Sequence, residues 1–138
     1  MDKLKCVLLI DDDIDDNFFH ERAIRKYNGE IKVVNKKSGT EALDYLNSVI
    51  ANNEEHPDLI FLDINMPQMN GWQFLDEYNS LRSNLSCKAI IVMLSTSTNP
   101  EDIQQSKEWH FVADYITKPL TPKILNGLVG KHFAIEVQ

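Results

Sequence analysis

The feature that most constrains this fold is a short apolar run, Leu59–Leu62, between Pro57 and a loop that passes through Pro67 to Gly71. Four consecutive apolar residues between turn signals are typical of a strand buried on both faces of a parallel sheet. The run ends on Asp63, and open α/β sheets bind their ligands at the carboxyl ends of their strands. Asp63 is therefore either an ordinary cap or turn aspartate or a functional carboxylate.

Strand-like and helical patterns alternate along the 138 residues. The predicted strands are residues 7–10, 31–34, 59–62, 89–94 and 111–117, each followed by a helical pattern. This alternation predicts a parallel sheet with helices on both faces. Because strands one, three and four are wholly apolar and strands two and five are mixed, we expect the last two at the edges. The prediction is one α/β domain over residues 1–138, a flavodoxin-like (βα)5 three-layer sandwich with strand order 2-1-3-4-5.

Several details of the helices and loops follow from the same patterns. The first helix, residues 15–27, should bury Phe19, Ala23 and Tyr27, which stand at helical spacing. The fourth helix should run to about residue 109. Residues 48–56, from Ser48 to His56, form a comparatively long connection. It is either a feature that some related proteins share or a docking element. All four histidines are expected at the surface: His20, His56, His110 and His132.

Composition excludes several classes of function. A net charge of -7 and the absence of any basic run argue against direct nucleic-acid binding. No apolar run is long enough to span a membrane, and the first residues lack the apolar core of a signal peptide. Cys6 and Cys87 show no disulfide or metal-binding spacing, so we expect reduced thiols and a cytoplasmic location.

Polar residues follow four of the predicted strands. Asp11 and Asp12 end strand one, Asp63 ends strand three, Ser95 ends strand four and Lys118 ends strand five. Since parallel strands end at one edge of the sheet, these groups should converge. Three crowded carboxylates repel one another unless a cation is present, and oxygen ligands of this kind suit Mg²⁺. A cation, an ammonium and a hydroxyl around a carboxylate are typical of phosphoryl transfer.

Four segments in chain order resemble the response-regulator receiver domain of two-component signalling, the family of the bacterial chemotaxis regulator. They are Leu-Ile-Asp-Asp-Asp at 9–13, Leu-Asp-Ile-Asn-Met-Pro-Gln-Met-Asn-Gly at 62–71, Met-Leu-Ser-Thr at 93–96 and Tyr-Ile-Thr-Lys-Pro at 115–119. Together they span nearly the whole chain. The resemblance implies a stand-alone signalling module that catalyses only its own phosphorylation and dephosphorylation.

The resemblance also implies a role for each acidic residue. Asp63 would accept a phosphoryl group from a sensor histidine kinase or a phosphotransfer protein. Asp12 and Asp63, with the main-chain carbonyl of Asn65, would hold Mg²⁺, and Asp11 would assist through a bound water.

The remaining motif residues would form the switch. Ser95, which stands where the family more often has threonine, would hydrogen-bond the phosphoryl group, and Lys118 would pair with that group. The peptide bond between Lys118 and Pro119 would be cis. Tyr115 matches the aromatic switch position. Thr96 is bulkier than the alanine or glycine that is common there, so it should slow the access of water. Output would pass through helix four, strand five and helix five to an unknown partner, a homodimer or onward phosphotransfer.

Three other interpretations use the same residues. A haloacid-dehalogenase-type phosphatase would take Asp11 as its nucleophile, but that leaves Asp63 and the loop after it without a role. A flavodoxin shares the fold, but residues 11–13 would repel the phosphate of FMN. An EF-hand fails because Asp16 and Arg22 stand where that loop needs glycine and glutamate.

Overall fold

The computed structural model describes residues 3–85 and 89–133. In chain order the elements are β1 (Cys6–Ile10), α1 (Ile14–Tyr27), β2 (Lys32–Lys36), α2 (Gly39–Asn52), β3 (Leu59–Leu62), α3 (Gly71–Arg82), β4 (Ile90–Ser95), α4 (Pro100–Ser106), β5 (Val112–Thr117) and α5 (Pro122–His132). The strands are parallel in the order β2-β1-β3-β4-β5. The predicted flavodoxin-like fold and strand order are confirmed.

The central strands are buried on both faces because successive side chains of a strand point to opposite sides of the sheet. In β3, Ile60 and Leu62 pack with the core beside α2 and α3, whereas Leu59 and Phe61 pack with the core beside α1 and α5. All four side chains are fully buried. The sheet is therefore the middle of three layers, with α1 against α5 on one face and α2 against α3 on the other.

Side-chain caps start the helices that follow the strands of the predicted site. The Asp13 carboxylate accepts from the N–H groups of the first turn of α1, and Asn70 forms a capping box with Gln73 at α3. Asn99 and Thr121 cap α4 and α5, each just before a proline. A cap of this kind contributes about 0.5–2 kcal/mol. These caps set the length of each loop between a strand end and the next helix.

The predicted inward face of α1 is wrong at Phe19, which is 57% exposed. The helix instead buries Asn17, His20, Ala23 and Ile24. The Asn17 side chain bonds the main chain at the end of β1, with its Nδ2 2.8 Å from Asp11 O. The face of α1 that carries Asn17 and His20 therefore packs against the sheet, and Phe19 faces solvent. His20 and His56 are buried too, which corrects the expectation that every histidine lies at the surface.

Two predicted boundaries also need correction. Helix α2 continues to Asn52 and ends where Asn53 adopts a left-handed conformation with φ of 52°, so much of the expected 48–56 connection is helical. Helix α4 ends at Ser106 rather than near residue 109 because the chain turns there, with the Lys107 N–H donating to Gln104 O. Cys6 is a buried free thiol, and Cys87 lies outside the described residues.

Candidate functional site

Sheet register brings the predicted residues together. Ile10 and Leu62 are paired across β1 and β3, and the Asp63 N–H donates to Ile10 O at 3.1 Å. In the other half of the sheet, at the ends of β4 and β5, the Lys118 N–H donates to Ser95 O at 2.9 Å. The carboxyl ends of these four strands therefore form one edge, as the sequence predicts.

An acidic cluster occupies this edge. One carboxylate oxygen from each of Asp11, Asp12 and Asp63 lies within 4.8 Å of the others. Asp11 and Asp63 are buried, whereas Asp12 is exposed. Burial, followed by the charge of Asp11, raises the pKa of Asp63 to about 6, although Lys118 acts in the opposite direction. The cluster thus holds excess negative charge on hard oxygen donors, which is the donor set that fits Mg²⁺.

Lys118 is the cation that faces this cluster. Its Nζ lies 2.6 Å from Asp11 Oδ2, 2.7 Å from Asp16 Oδ2 and 3.7 Å from Asp63 Oδ2. Burial of Lys118 disfavours its charged form, but the hydrogen bonds to Asp11 and Asp16 prevail and raise the pKa of Lys118 above its ordinary value. The side chain is therefore a fixed ammonium beside Asp63.

Asp16 also belongs to the site, although it is not among the polar residues that the sequence predicted to converge there. It lies in the first turn of α1 and bonds Lys118 across the edge of the sheet. The available signal was geometric, because side chains of a first helical turn point back toward the helix N-terminus. Here that direction leads to the site.

A buried histidine, His20, lines the same small pocket as Asp11 and Asp63. His20, on the inward face of α1, is 3% exposed. Burial, reinforced by the positive charge of Lys118, lowers the pKa of His20. The imidazole is therefore neutral at physiological pH and adds no positive charge that would compete with Lys118.

The loop between β3 and α3 is held tightly against the strand end. The Gly71 N–H donates to Ile64 O at 2.8 Å, and a Cβ on Gly71 would lie 2.7 Å from Asp63 O and 2.9 Å from Ile64 Cα. Glycine is required here for close backbone approach. Asn65 is exposed in this loop, two residues after Asp63.

The predicted switch residues meet at the loop after β4. Ser95 is fully buried, and its Oγ accepts from the Ser97 N–H at 3.2 Å. The Tyr115 hydroxyl donates to Ser97 O at 2.8 Å. Thr96, between Ser95 and Ser97 in the sequence, is exposed. The bond between Lys118 and Pro119 is cis, as expected.

Comparison with known proteins agrees with this geometry. The family model of the response regulator receiver domain matches residues 7–129. A two-component response regulator from Cytophaga hutchinsonii has a similar structure, with a TM-score of 0.84 and 35% identity over 94% of this chain and 96% of that one. The response regulator Rcp1 of Synechocystis sp. is 30% identical over 127 residues, which are 91% of this chain and 84% of that protein.

A longer relative matches only in part. A probable cyclic di-GMP phosphodiesterase of Vibrio cholerae is 32% identical over 134 residues, which are 95% of this chain but 27% of that protein. The similarity therefore covers about a quarter of the relative.

Within the described ranges, no helix is both long and apolar enough to cross a membrane.

Proposed function

Because the chain belongs to the family of response regulator receiver domains, which signal by phosphorylation of an aspartate, we propose that Asp63 is its phosphoacceptor. The observation that carries the proposal is a buried, crowded carboxylate with an ammonium beside it but not bonded to it: Lys118 Nζ lies 3.7 Å from Asp63 Oδ2. Asp11, in contrast, accepts hydrogen bonds on both oxygens, from the Asp13 N–H and from Lys118. The comparisons give no support to a phosphatase with Asp11 as nucleophile.

The proposed reaction moves one phosphoryl group. An Asp63 carboxylate oxygen attacks the phosphorus of a phosphohistidine on a sensor kinase or phosphotransfer protein. The new O–P bond forms as the P–N bond breaks, and the electron pair of that bond stays on the imidazole nitrogen. Lys118 and the Ser95 hydroxyl then supply hydrogen bonds to the phosphoryl oxygens, which carry about -1.5 to -2 charges.

Magnesium is the proposed cofactor. Asp11, Asp12 and Asp63 would hold it together with the main-chain carbonyl of Asn65, and the mutual proximity of the three carboxylates supports this assignment. When bound, Mg²⁺ supplies positive charge that stabilises the transferring phosphoryl group. The protein's own part is to keep Lys118 between Asp11 and Asp16 so that its charge stays in reach of the product.

The proposed output is a population shift rather than turnover of a separate substrate. Ser95 and Lys118 reorganise around the acyl phosphate, and Tyr115 responds through the loop after β4. The surface of α4, β5 and α5 then presents a different face to a downstream partner. The shift can be no larger than the differential interaction of the phosphoryl group with the two arrangements.

An exposed apolar patch on α1 supports a protein as the phosphoryl donor. Ile14, Phe18 and Phe19 are 63%, 60% and 57% exposed, and they lie on the helix that carries Asp16. Contiguous exposed apolar residues beside a reactive site are typical of a docking surface. A histidine kinase or phosphotransfer protein seated here would bring its histidine to the acidic edge.

A single receiver domain over residues 1–138 and a cytoplasmic location complete the proposal. The family model covers residues 7–129, and the match to the solved Cytophaga hutchinsonii chain covers 94% of this chain. Cys6 is free and buried, as is usual for a protein in a reducing compartment.

The test is phosphorylation by acetyl phosphate with Mg²⁺ or with EDTA. The wild type and Asp76→Asn, which changes an exposed aspartate on α3, should both become phosphorylated with Mg²⁺ and not with EDTA. Asp63→Asn should not. Undiminished phosphorylation of Asp63→Asn would refute the assignment.

A further inference from the structure

Ser97 connects the two predicted switch side chains through its main chain. Its N–H donates to Ser95 Oγ at 3.2 Å, and its carbonyl accepts from the Tyr115 hydroxyl at 2.8 Å. Ser95 lies at the end of a central strand and Tyr115 on an edge strand. One residue of the intervening loop thus contacts both.

The Ser97 side chain makes a third connection, to helix α4. Its hydroxyl donates to Asp102 Oδ2 at 2.6 Å and accepts from the Asn99 N–H at 3.2 Å. Asn99 is the N-cap of α4, and Asp102 lies in its first turn. The hydrogen bond to a carboxylate is charge-assisted and therefore stronger than a neutral one.

We propose that Ser97 is a positioning residue that couples Ser95 and Tyr115 to helix α4, with its hydroxyl and Asp102 as the coupling pair. The inference rests on the proposed function, because Ser95 is displaced only if Asp63 carries a phosphoryl group.

The coupling follows from the cost of leaving a polar group without a partner. When the Ser95 hydroxyl turns toward the phosphoryl oxygens, its Oγ moves away from the Ser97 N–H. A half-buried N–H that loses its acceptor is unfavourable, so Ser97 moves with Ser95. That movement displaces the carbonyl that Tyr115 bonds, and the hydroxyl transmits it to Asp102. The end of β4, Tyr115 and α4 therefore change together.

The test uses beryllium fluoride with Mg²⁺ as a phosphoryl mimic and amide NMR signals as local reporters. Lys118, whose N–H donates to Ser95 O, reports on the site, and Ile103, whose N–H donates to Asn99 O, reports on α4. In the wild type, both signals should shift on titration. Ser97→Ala should bind the mimic within about threefold of the wild-type affinity, because it leaves every mimic-binding group in place, but the Ile103 shift should fall at least about twofold.

Conservative variants separate coupling from general damage to the helix. Ser97→Thr keeps the hydroxyl and Asp102→Asn keeps an acceptor, so both variants should retain the Ile103 shift of the wild type. Asp102→Ala should lose it. Ser106→Ala is the matched control, because it removes the hydroxyl of a serine inside α4 that donates within the helix, to Ile103 O at 2.6 Å. It should change the resting Ile103 signal but keep the shift caused by the mimic.

Each outcome decides the proposal. An Ile103 shift that is equally large in the wild type, Ser97→Ala and Asp102→Ala overturns the coupling while leaving the phosphoacceptor assignment intact. A wild type in which Lys118 responds and Ile103 does not overturns it as well. A wild type that binds no mimic at all overturns the proposed function, and this inference with it.

Discussion

Replacing Asp63 by asparagine should stabilise the metal-free protein, because the fold buries this carboxylate beside the negative charge of Asp11. Burial and the charge of Asp11 raise the pKa of Asp63 from 3.8 to about 6. A carboxyl group whose pKa is higher in the folded than in the unfolded protein stabilises the fold below its unfolded pKa. That contribution is lost as the pH rises through the folded pKa. At neutral pH the ionised Asp63 is therefore destabilising.

The size of the effect follows from the pKa values. A rise of about 2 in pKa corresponds to about 3 kcal/mol of unfolding free energy. An amide keeps the shape and removes the charge, so Asp63→Asn should recover about 1–3 kcal/mol above about pH 7. For a urea m-value of roughly 2 kcal/mol per molar, the unfolding midpoint should rise by about 1 M.

Urea unfolding in EDTA across a pH series is the assay. The advantage of Asp63→Asn should be full above about pH 7 and vanish near about pH 4, where Asp63 is protonated in the folded wild type. Adding Mg²⁺ should reverse the order, because a ligand that binds only the folded state stabilises the variant that keeps the site. Asp76→Asn should behave as wild type. If Asp63→Asn is less stable than wild type in EDTA, or its advantage does not vary with pH, the reasoning is refuted.

Further expectations concern the frame of the site and its chemistry. Gly71→Ala should cost about 1–3 kcal/mol in urea unfolding, because its Cβ would lie 2.7 Å from the main chain of Asp63; Gly127→Ala, whose Cβ meets nothing within 4 Å in α5, should instead stabilise by about 0.5–1 kcal/mol. Lys118→Ala should still bind Mg²⁺ in a fluorescence titration but fail to shift the Tyr115 signals with beryllium fluoride; a normal shift would count against its role. Thr96→Ala should shorten the acyl-phosphate lifetime measured by phosphate release, and an unchanged lifetime would show that Thr96 does not control access.

Strand order and the main site groups were predictable because they depend on patterns that are local in sequence. A buried parallel strand reads as an apolar run, and the residue after it lies at the edge where ligands bind. Asp63 and Ser95 each follow such a run, and Lys118 follows the mixed fifth strand, so their convergence needs only the order of the strands. The caps Asn99 and Thr121 are equally local, since each precedes a proline.

What was missed depends on the rotation of a helix and on contacts between distant segments. Phe19 stands at a helical spacing that fits a buried face, yet the bond from Asn17 to the end of β1 turns α1 so that Phe19 faces solvent. Asp16 reaches Lys118, which is 102 residues away. Ser97 contacts three elements through a loop whose sequence carries only a general turn signal. None of these has a periodicity that would reveal it.

The position of the phosphoryl group tests the account most directly. The wild type is phosphorylated with acetyl phosphate and Mg²⁺, digested at low pH, and its peptides are sequenced by mass spectrometry. The phosphoryl group should lie on Asp63 and be absent from peptides that contain Asp11 and Asp12. A phosphoryl group on Asp11 that persists in Asp63→Asn would contradict the account.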